Sequence, residues 1–393
     1  MDNLALMLLI FFILIVFYSY LGYGIVLYCL VLLKRAFKKT STIELEKWPE
    51  VTFMVAAYNE ADYIEEKINN TLSLDYPKES LKLIFVTDGS DDDTPKIVAQ
   101  YPEIKLLHQP VRRGKIAAVA RAMKEVTSPF VIFTDANTDV NKGAVKAIVR
   151  HYANDKVGAV AGEKRIKSNT TDDAAGAGEG IYWKYESQLK KWDSELYSVV
   201  GAAGELFSIR TDVYEPVPSD SIIEDFYMTL RIAQKGYKVV YEPKAYALEE
   251  SSASVQQELK RKIRIAAGGI QSIVRLSSLL NPFRYGILSF QYISHRVLRW
   301  TIAPLVLPFI FLLNIYLAWK GMPFMTALLV LQLLFYLAAL IGYILERRSI
   351  KFKPFFVPYY FTMMNYAVYK GMIRYIKGKQ SVTWEKAQRR KAA

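Results

Sequence analysis

Phe130-Val131-Ile132-Phe133-Thr134-Asp135-Ala136-Asn137 carries the pattern around which the rest of the chain is organised. Four apolar residues, two of them β-branched, run through Thr134 into an acid, an alanine and an amide. A buried parallel strand ends this way when its carboxyl tip has to present polar ligands, so Asp135 is read as a tip residue. The same pattern recurs upstream. Residues 81–87 form an apolar-rich run that stops at Asp88-Gly89-Ser90 and then Asp91 to Asp93, and residues 51–57 stop at Tyr58-Asn59-Glu60. Three such runs with helical patterns between them predict an α/β fold, an open sheet whose ligand lies beyond the carboxyl ends of its strands.

Between and beyond these runs the spacing predicts a helix over 61–73, with Ile64, Ile68 and Leu72 on one apolar stripe. A short helix over 95–100 and a brief strand over 104–107 follow. Arg112-Arg113-Gly114-Lys115 then leads into an alanine-rich helix over 116–125. After Asn141 come a helix to residue 152 and a strand over 157–162. Tyr182, Trp183, Tyr185 and Trp192 fall on a later helical stretch; such aromatics stack on sugar rings, lie at a bilayer interface or pack in a core. Gly201-Ala202-Ala203-Gly204 is a small-residue turn entering a strand that ends at Arg210. Glu224 and Asp225 are adjacent acids at a helix N-terminus, where the dipole favours ionised carboxylates.

The chain has 393 residues, 52% of them hydrophobic, against a globular norm of roughly 45–50%. The excess is local. Residues 4–33 carry no charge and, at about 1.5 Å per residue, exceed a hydrocarbon core of roughly 30 Å. The stretch is too long, and too weakly basic at its start, for a signal peptide, so residues 1–33 are read as a retained transmembrane helix. Residues 302–319 and 324–345 read as a transmembrane hairpin within 301–345. Residues 251–300 read as amphipathic interfacial helices, the basic stretch 256–280 lying along the membrane surface. Residues 346–393 combine an interfacial or re-entrant segment, broken by Pro358 and Asn365, with a basic tail.

The net charge of +13 gathers beside these apolar segments, at Lys34, Arg35, Lys38 and Lys39, at Arg347, Arg348, Lys351 and Lys353, and along 374–391. That is the positive-inside distribution, and it argues for a membrane rather than nucleic acid as the partner. Three crossings place the domain over 48–250 and the tail on the cytoplasmic side of an inner or plasma membrane. The lone cysteine, Cys29, precludes an intrachain disulfide, and His108, His151 and His295 are too scattered for a zinc site.

Acids at several strand ends beside a basic Gly-Lys loop suit a diphosphate held with a divalent cation, because hard cations take carboxylate, amide and phosphate oxygens. Asp135 and Asn137 can supply such oxygens and Lys115 can pair with phosphate. Asp225 is the natural general base for a displacement by a hydroxyl, with Glu224 as the alternative. Asp91 to Asp93 read as a solvated turn with a helix cap.

Taken in order, Ala57-Tyr58-Asn59-Glu60, Asp88-Gly89-Ser90, Arg113-Gly114-Lys115, Asp135-Ala136-Asn137, Gly201 to Gly204, Ile223-Glu224-Asp225 and Ser294-His295-Arg296-Val297-Leu298-Arg299-Trp300 resemble the membrane-bound family 2 glycosyltransferases. These are the relatives of cellulose, chitin and hyaluronan synthases. The resemblance implies a GT-A fold and inverting transfer from a nucleoside diphosphate sugar, usually a UDP sugar, to a glycan or lipid-linked acceptor in polysaccharide or glycolipid synthesis. It would put Tyr58 and Glu60 near the base, Asp88 near the base or ribose, and Lys115 near the diphosphate. Asp135 and Asn137 would lie in a Mg2+ or Mn2+ motif, and Asp225 would deprotonate the acceptor. Gly204, Arg261 and Arg264 would belong to the acceptor and diphosphate region.

Two departures stand out. Asn137 replaces the family's usual second aspartate, and Asp139 is the nearest further carboxylate. Arg264 fits the arginine of the processive synthases' Gln-x-x-Arg-Trp motif, but Ile265 stands where that motif has tryptophan, which leaves single-sugar transfer open beside polymer synthesis. Two other readings are a membrane nucleotidyltransferase and a non-catalytic scaffold for an export or assembly partner.

Overall fold

The computed structural model describes residues 2–37, 47–167, 174–250, 255–348, 350 and 352–378. Lys38, Lys39, the linker to residue 46, Lys351 and the tail from residue 379 lie outside the described residues, as do the side chains of residues 174–182, Tyr182 included, and of Lys353.

Among the described residues eight strands make one sheet: β1 (Val51–Ala57), β2 (Leu81–Asp88), β3 (Ile104–Gln109), β4 (Phe130–Asp135), β5 (Thr138–Val140), β6 (Val157–Lys167), β7 (Leu206–Arg210) and β8 (Lys238–Glu250), in the order β3-β2-β1-β4-β7-β6-β8-β5. The first four are mutually parallel, with Ala57 beside Thr87 and Ala56 beside Asp135, so the tips of β1, β2 and β4 reach one edge together. Side-chain alternation divides the apolar runs between two faces. Met54, Ile84, Val131 and Phe133 pack on one side with the Lys115–Met123 helix, and Phe53, Val55, Phe85 and Ile132 on the other with Ile64, Ile68 and Ile148. β7 runs antiparallel between β4 and β6, making the sheet mixed.

Three local expectations need correction. The first helix of the domain is Ile64–Leu72, and its inner line is Ile64, Lys67, Ile68 and Thr71 while Leu72 is exposed. At about 100° per residue, position 72 has drifted roughly 80° from position 64. β8 has no counterpart in the sequence reading, because Pro243 interrupts its pattern; the structure absorbs the proline at a register shift, where Gly162 faces Glu242 and Glu163 already faces Tyr246. The Val255–Arg275 helix turns its apolar face to protein rather than lipid. Gly268 lies against Ile222 and Ile223, and Gly371 of the Lys353–Ile376 helix lies against Ala266, Ala267 and Ile263, small residues allowing the close approach.

Among the described residues, three helices are long and apolar enough to cross a membrane: Asp2–Phe37, Ile302–Trp319 and Pro323–Arg347. The first runs past the expected end at residue 33, and its second half docks on the Ala174–Leu196 helix through Tyr23, Leu27 and Val31 against Leu189 and Leu196. Lys34 Nζ donates to the carbonyls of Glu195 and Leu196 at 2.6 and 2.8 Å, neutralising the negative end of that helix. A buried polar cluster completes the dock. Asp193 takes the Tyr23 hydroxyl and lies 2.5 Å from His295 Nδ1; Glu186 lies 3.2 Å from His295 Nε2 and 2.6 Å from Arg296.

Candidate active site

At the β1 tip, Asn59 adopts a positive φ of 53°, a conformation that asparagine tolerates. Its amide nitrogen donates to Ser90 Oγ at 3.1 Å and its side chain to Asp91 at 2.5 Å, while Ala61 N donates to Asp92 at 3.0 Å. Asp91 and Asp92 therefore stitch the β1 and β2 tips together, beyond the solvated turn with a helix cap that the sequence suggested. Asp92 also caps the next helix through Thr94 N, and Asp93 is left with exposed Lys96. Glu60 starts the Ile64–Leu72 helix with its carbonyl, and the Tyr58 ring carries the Arg112 guanidinium at 3.7 Å.

Asp88 ends β2. Its Oδ2 accepts from the backbone nitrogens of Arg113 and Gly114 at 2.9 and 2.5 Å, holding the loop that opens the Lys115–Met123 helix. Gly114 has a φ of 93°, which a side chain would strain. Asp88 Oδ1 is buried with no hydrogen-bond partner among the described residues, Arg121 coming no closer than 4.0 Å.

Lys115 is the first residue of its helix and the centre of the site. Its ammonium lies 2.7 Å from Asp135 Oδ1, at the β4 tip, and 2.9 Å from Glu224 Oε1. Glu224 and Asp225 open the Glu224–Gln234 helix. Gly204 closes the group: a Cβ there would stand 3.3 Å from Asp225 Oδ2 and 3.4 Å from Lys115 Nζ. Burial, reinforced by the Glu224 charge and opposed by Lys115, pushes Asp225 up to about 7. Burial also raises Asp135, more than Lys115 lowers it. For Glu224 burial acts the same way but is outweighed, chiefly by Lys115, and the carboxyl is held below its ordinary range. One carboxylate is thus kept ionised while its neighbour titrates near neutrality, the condition a general base requires.

Arg264 adjoins the group, donating to the Ile222 carbonyl at 2.9 Å and feeling the charges of Glu224, Asp225 and Asp135. Arg261, one turn away, belongs to a different cluster: it pairs with Glu258 at 3.0 Å and lies 3.7 Å from both Glu205 and Glu249. Sequence reasoning missed Glu205, which pairs with Lys164 at 2.7 Å; its only signal was its place after Gly204 and before a buried strand. It also missed Lys67, buried beneath the turn between β4 and β5, where its ammonium donates to the Thr138 carbonyl at 2.7 Å.

Among the described residues no three histidines, cysteines or acids converge on a metal position. Asp135 and, two residues on, partly buried Asn137 form a sparse oxygen donor set, which fits an ion that takes most of its ligands from substrate phosphates and water. Asp139, the nearest further carboxylate, is paired with Lys167 at 2.5 Å.

Residues 52–217, from β1 to the loop after β7, match the model of Glycosyl transferase family 2. The chain carries a family 2 glycosyltransferase domain. The same domain brings in the poly-beta-1,6-N-acetyl-D-glucosamine synthase of Staphylococcus aureus strain MSSA476, 26% identical over 251 residues that make up 62% of this chain and 60% of that protein. The Staphylococcus epidermidis synthase of that name is 25% identical over 57% of this chain and 56% of its own length. The chain thus spans about 60% of the curated relative it matches. A mannosyltransferase from Pyrobaculum calidifontis, solved with GDP-Man and Mn2+, superposes with a TM-score of 0.71 over 95% of this chain and 100% of its own, at 22% identity. The fold is GT-A, a Rossmann-like mixed sheet with candidate membrane helices toward both ends.

Proposed function

We propose that this chain is an integral-membrane, inverting glycosyltransferase that moves a sugar from a nucleoside diphosphate sugar, a UDP sugar in the first instance, to a hydroxyl of a glycan acceptor at the cytoplasmic face. The observation that carries this reading is the meeting of Lys115, Asp135, Glu224 and Asp225 at the strand tips. Asp225, held near neutrality, takes the acceptor's proton as its oxygen attacks the anomeric carbon. A single displacement inverts that carbon. Lys115 and Arg264 offer cations to the departing diphosphate, whose charge grows as the glycosidic bond breaks. The unsatisfied Asp88 Oδ1 can accept a ring N–H from uracil or guanine, a contact that adenine does not offer in the same way. Asp135 with Asn137 would hold Mg2+ or Mn2+, and that ion would neutralise charge on the diphosphate. The polymer-synthase relatives support polysaccharide synthesis as the setting, with N-acetylglucosamine as the first sugar to try.

The experiment is nucleoside diphosphate release by the detergent-purified chain, over UDP-N-acetylglucosamine, UDP-glucose and GDP-mannose, with Mn2+, Mg2+ or EDTA. Release from one donor, abolished by EDTA and by Asp225→Asn, is the expected result. Pyrophosphate in place of the nucleoside diphosphate would make the protein a nucleotidyltransferase, and equal release by Asp225→Asn would remove the base.

A further inference from the structure

Of the aromatic residues on the Ala174–Leu196 helix, two are spent on the membrane helix. Tyr185 donates its hydroxyl to the Tyr20 carbonyl at 2.7 Å, and Trp192 packs on Tyr28 with ring centroids 5.0 Å apart. Trp183 is different. It is partly exposed and has three ammonium groups around its indole, those of Lys164, Lys190 and Lys262 at 5.5, 5.8 and 5.4 Å. Two of these cations are committed: Lys164 to Glu205 at 2.7 Å and to Glu249, and Lys262 to Glu258 at 3.3 Å.

Lys190, two helical turns beyond Trp183 on the same face, is not committed. It is 5% exposed, and among the described residues its ammonium makes no hydrogen bond or ion pair; its neighbours are the rings of Trp183 and, at 5.9 Å, Tyr241. A buried cation held only by ring faces lacks most of the stabilisation it had in water. Burial, helped by the Arg296 charge, draws it below its ordinary range, against the charges of Glu186, Glu205 and Asp225. Lys164 ties the spot to the reaction centre, for it reaches both the Trp183 ring and Glu205, and Glu205 follows Gly204, whose missing side chain lets Asp225 approach.

We propose that Trp183 and Lys190 form the acceptor subsite, taking an uncharged sugar ring of a glycan with the indole against its apolar face and the ammonium donating to its oxygens. This rests on the transferase reading above. An indole beside a single free donor suits a sugar, which has one apolar face and a rim of hydroxyls. A lipid-borne phosphate fits poorly. It would ask for several free cations, and here it would meet the carboxylates of Glu205, Glu249 and Glu258 instead.

The test is calorimetric binding to the full-length protein in lipid nanodiscs, with UDP and GDP as donor-site probes. Tetrasaccharides of β-1,6-N-acetylglucosamine and of mannose serve as glycan probes, and undecaprenyl monophosphate as the anionic lipid probe. Lys190→Met and Trp183→Leu should each weaken binding of one tetrasaccharide about tenfold or more while changing nucleotide affinity less than twofold, and Lys190→Arg should retain part of it. Unchanged tetrasaccharide affinity in both variants would refute the subsite, as would a parallel loss of nucleotide affinity, which marks a structural role. Loss of the lipid phosphate alone would assign the site to that ligand instead. A wild-type protein that binds neither nucleotide would overturn the transferase reading itself, whereas nucleotide binding with no tetrasaccharide uptake would overturn the subsite alone.

Discussion

Lys115 Nζ lies 2.7 Å from Asp135 Oδ1, so the cation expected to meet the diphosphate sits on the carboxylate expected to meet the metal. The same ammonium reaches Glu224, and the ion pairs span the β4 tip and the start of the helix bearing Asp225.

Removing this cation should damage both fold and function. Lys115→Met leaves Asp135 and Glu224 facing each other without compensation, and breaking a buried pair from one side costs about 3–5 kcal/mol. We expect a lower thermal midpoint together with a loss of nucleoside diphosphate release of at least about 100-fold. The double variant Lys115→Met, Glu224→Gln should regain part of the stability and none of the activity. Calorimetry beside the release assay separates the two effects.

Asp225 should set the pH dependence. A base works only when ionised, and burial pushes this carboxyl up to about 7, so kcat/KM should fall roughly tenfold per unit below that pH and level off above it. Glu224→Gln removes a charge that raises Asp225 and should move the acidic limb to lower pH. A pH profile of kcat/KM for both proteins checks this. The linkage runs against stability. The folded-state value lies above the ordinary 3.8, so the native protein holds this proton more tightly, and stability is lost as pH rises through that window toward 7. Asp225→Asn should therefore melt higher than wild type at pH 8 while being inactive.

Lys67 gives the opposite slope. Burial draws its ammonium down to about 7, so between there and its unfolded value near 10.4 the unfolded chain binds more protons and stability rises with pH. Lys67→Met should flatten that rise in a series of thermal melts from pH 7 to 10. It should also loosen the turn that carries Asp135 and Asn137, seen as a higher Mn2+ concentration for half-maximal activity.

The dock between the first helix and the domain should depend on its buried members. Asp193 is fully buried against Tyr23, Gln291 and His295, and Asp193→Ala takes an acceptor from all three, for which about 3 kcal/mol or more is expected. Arg35→Ala removes a more exposed pair with Glu195 and should cost at most about 1 kcal/mol. Thermal unfolding of the two variants in one detergent compares them directly.

The parallel half of the sheet was legible because its strands are continuous apolar runs that stop abruptly in acids, and burial on both faces demands such runs. The Gly-Lys loop, the adjacent acids at a helix start and the long apolar helices were legible for the same local reasons. β8 was not, since Pro243 argues against a strand until a register shift in its partner makes room for it. Leu72 was placed inward by a stripe that helical drift carries outward.

Within the site the division is sharper. Asp135, Lys115, Glu224 and Asp225 could each be singled out by sequence, as a strand tip, a loop cation and two helix-start acids. That Lys115 bridges two of them and that Gly204 admits Asp225 depend on contacts between segments far apart in the chain. Trp183 was marked by sequence only as one of several aromatics that could stack on a sugar, line an interface or pack in a core; Glu205, Lys164 and Lys190 bear no local mark of function, and only their pairing and their approach to the Trp183 ring bring them into view. Sequence alone determined the chemistry available at each strand end, because burial and periodicity act through near neighbours. Tertiary structure alone decided which charges are paired and which ammonium is left free, because pairing and desolvation depend on distances in space.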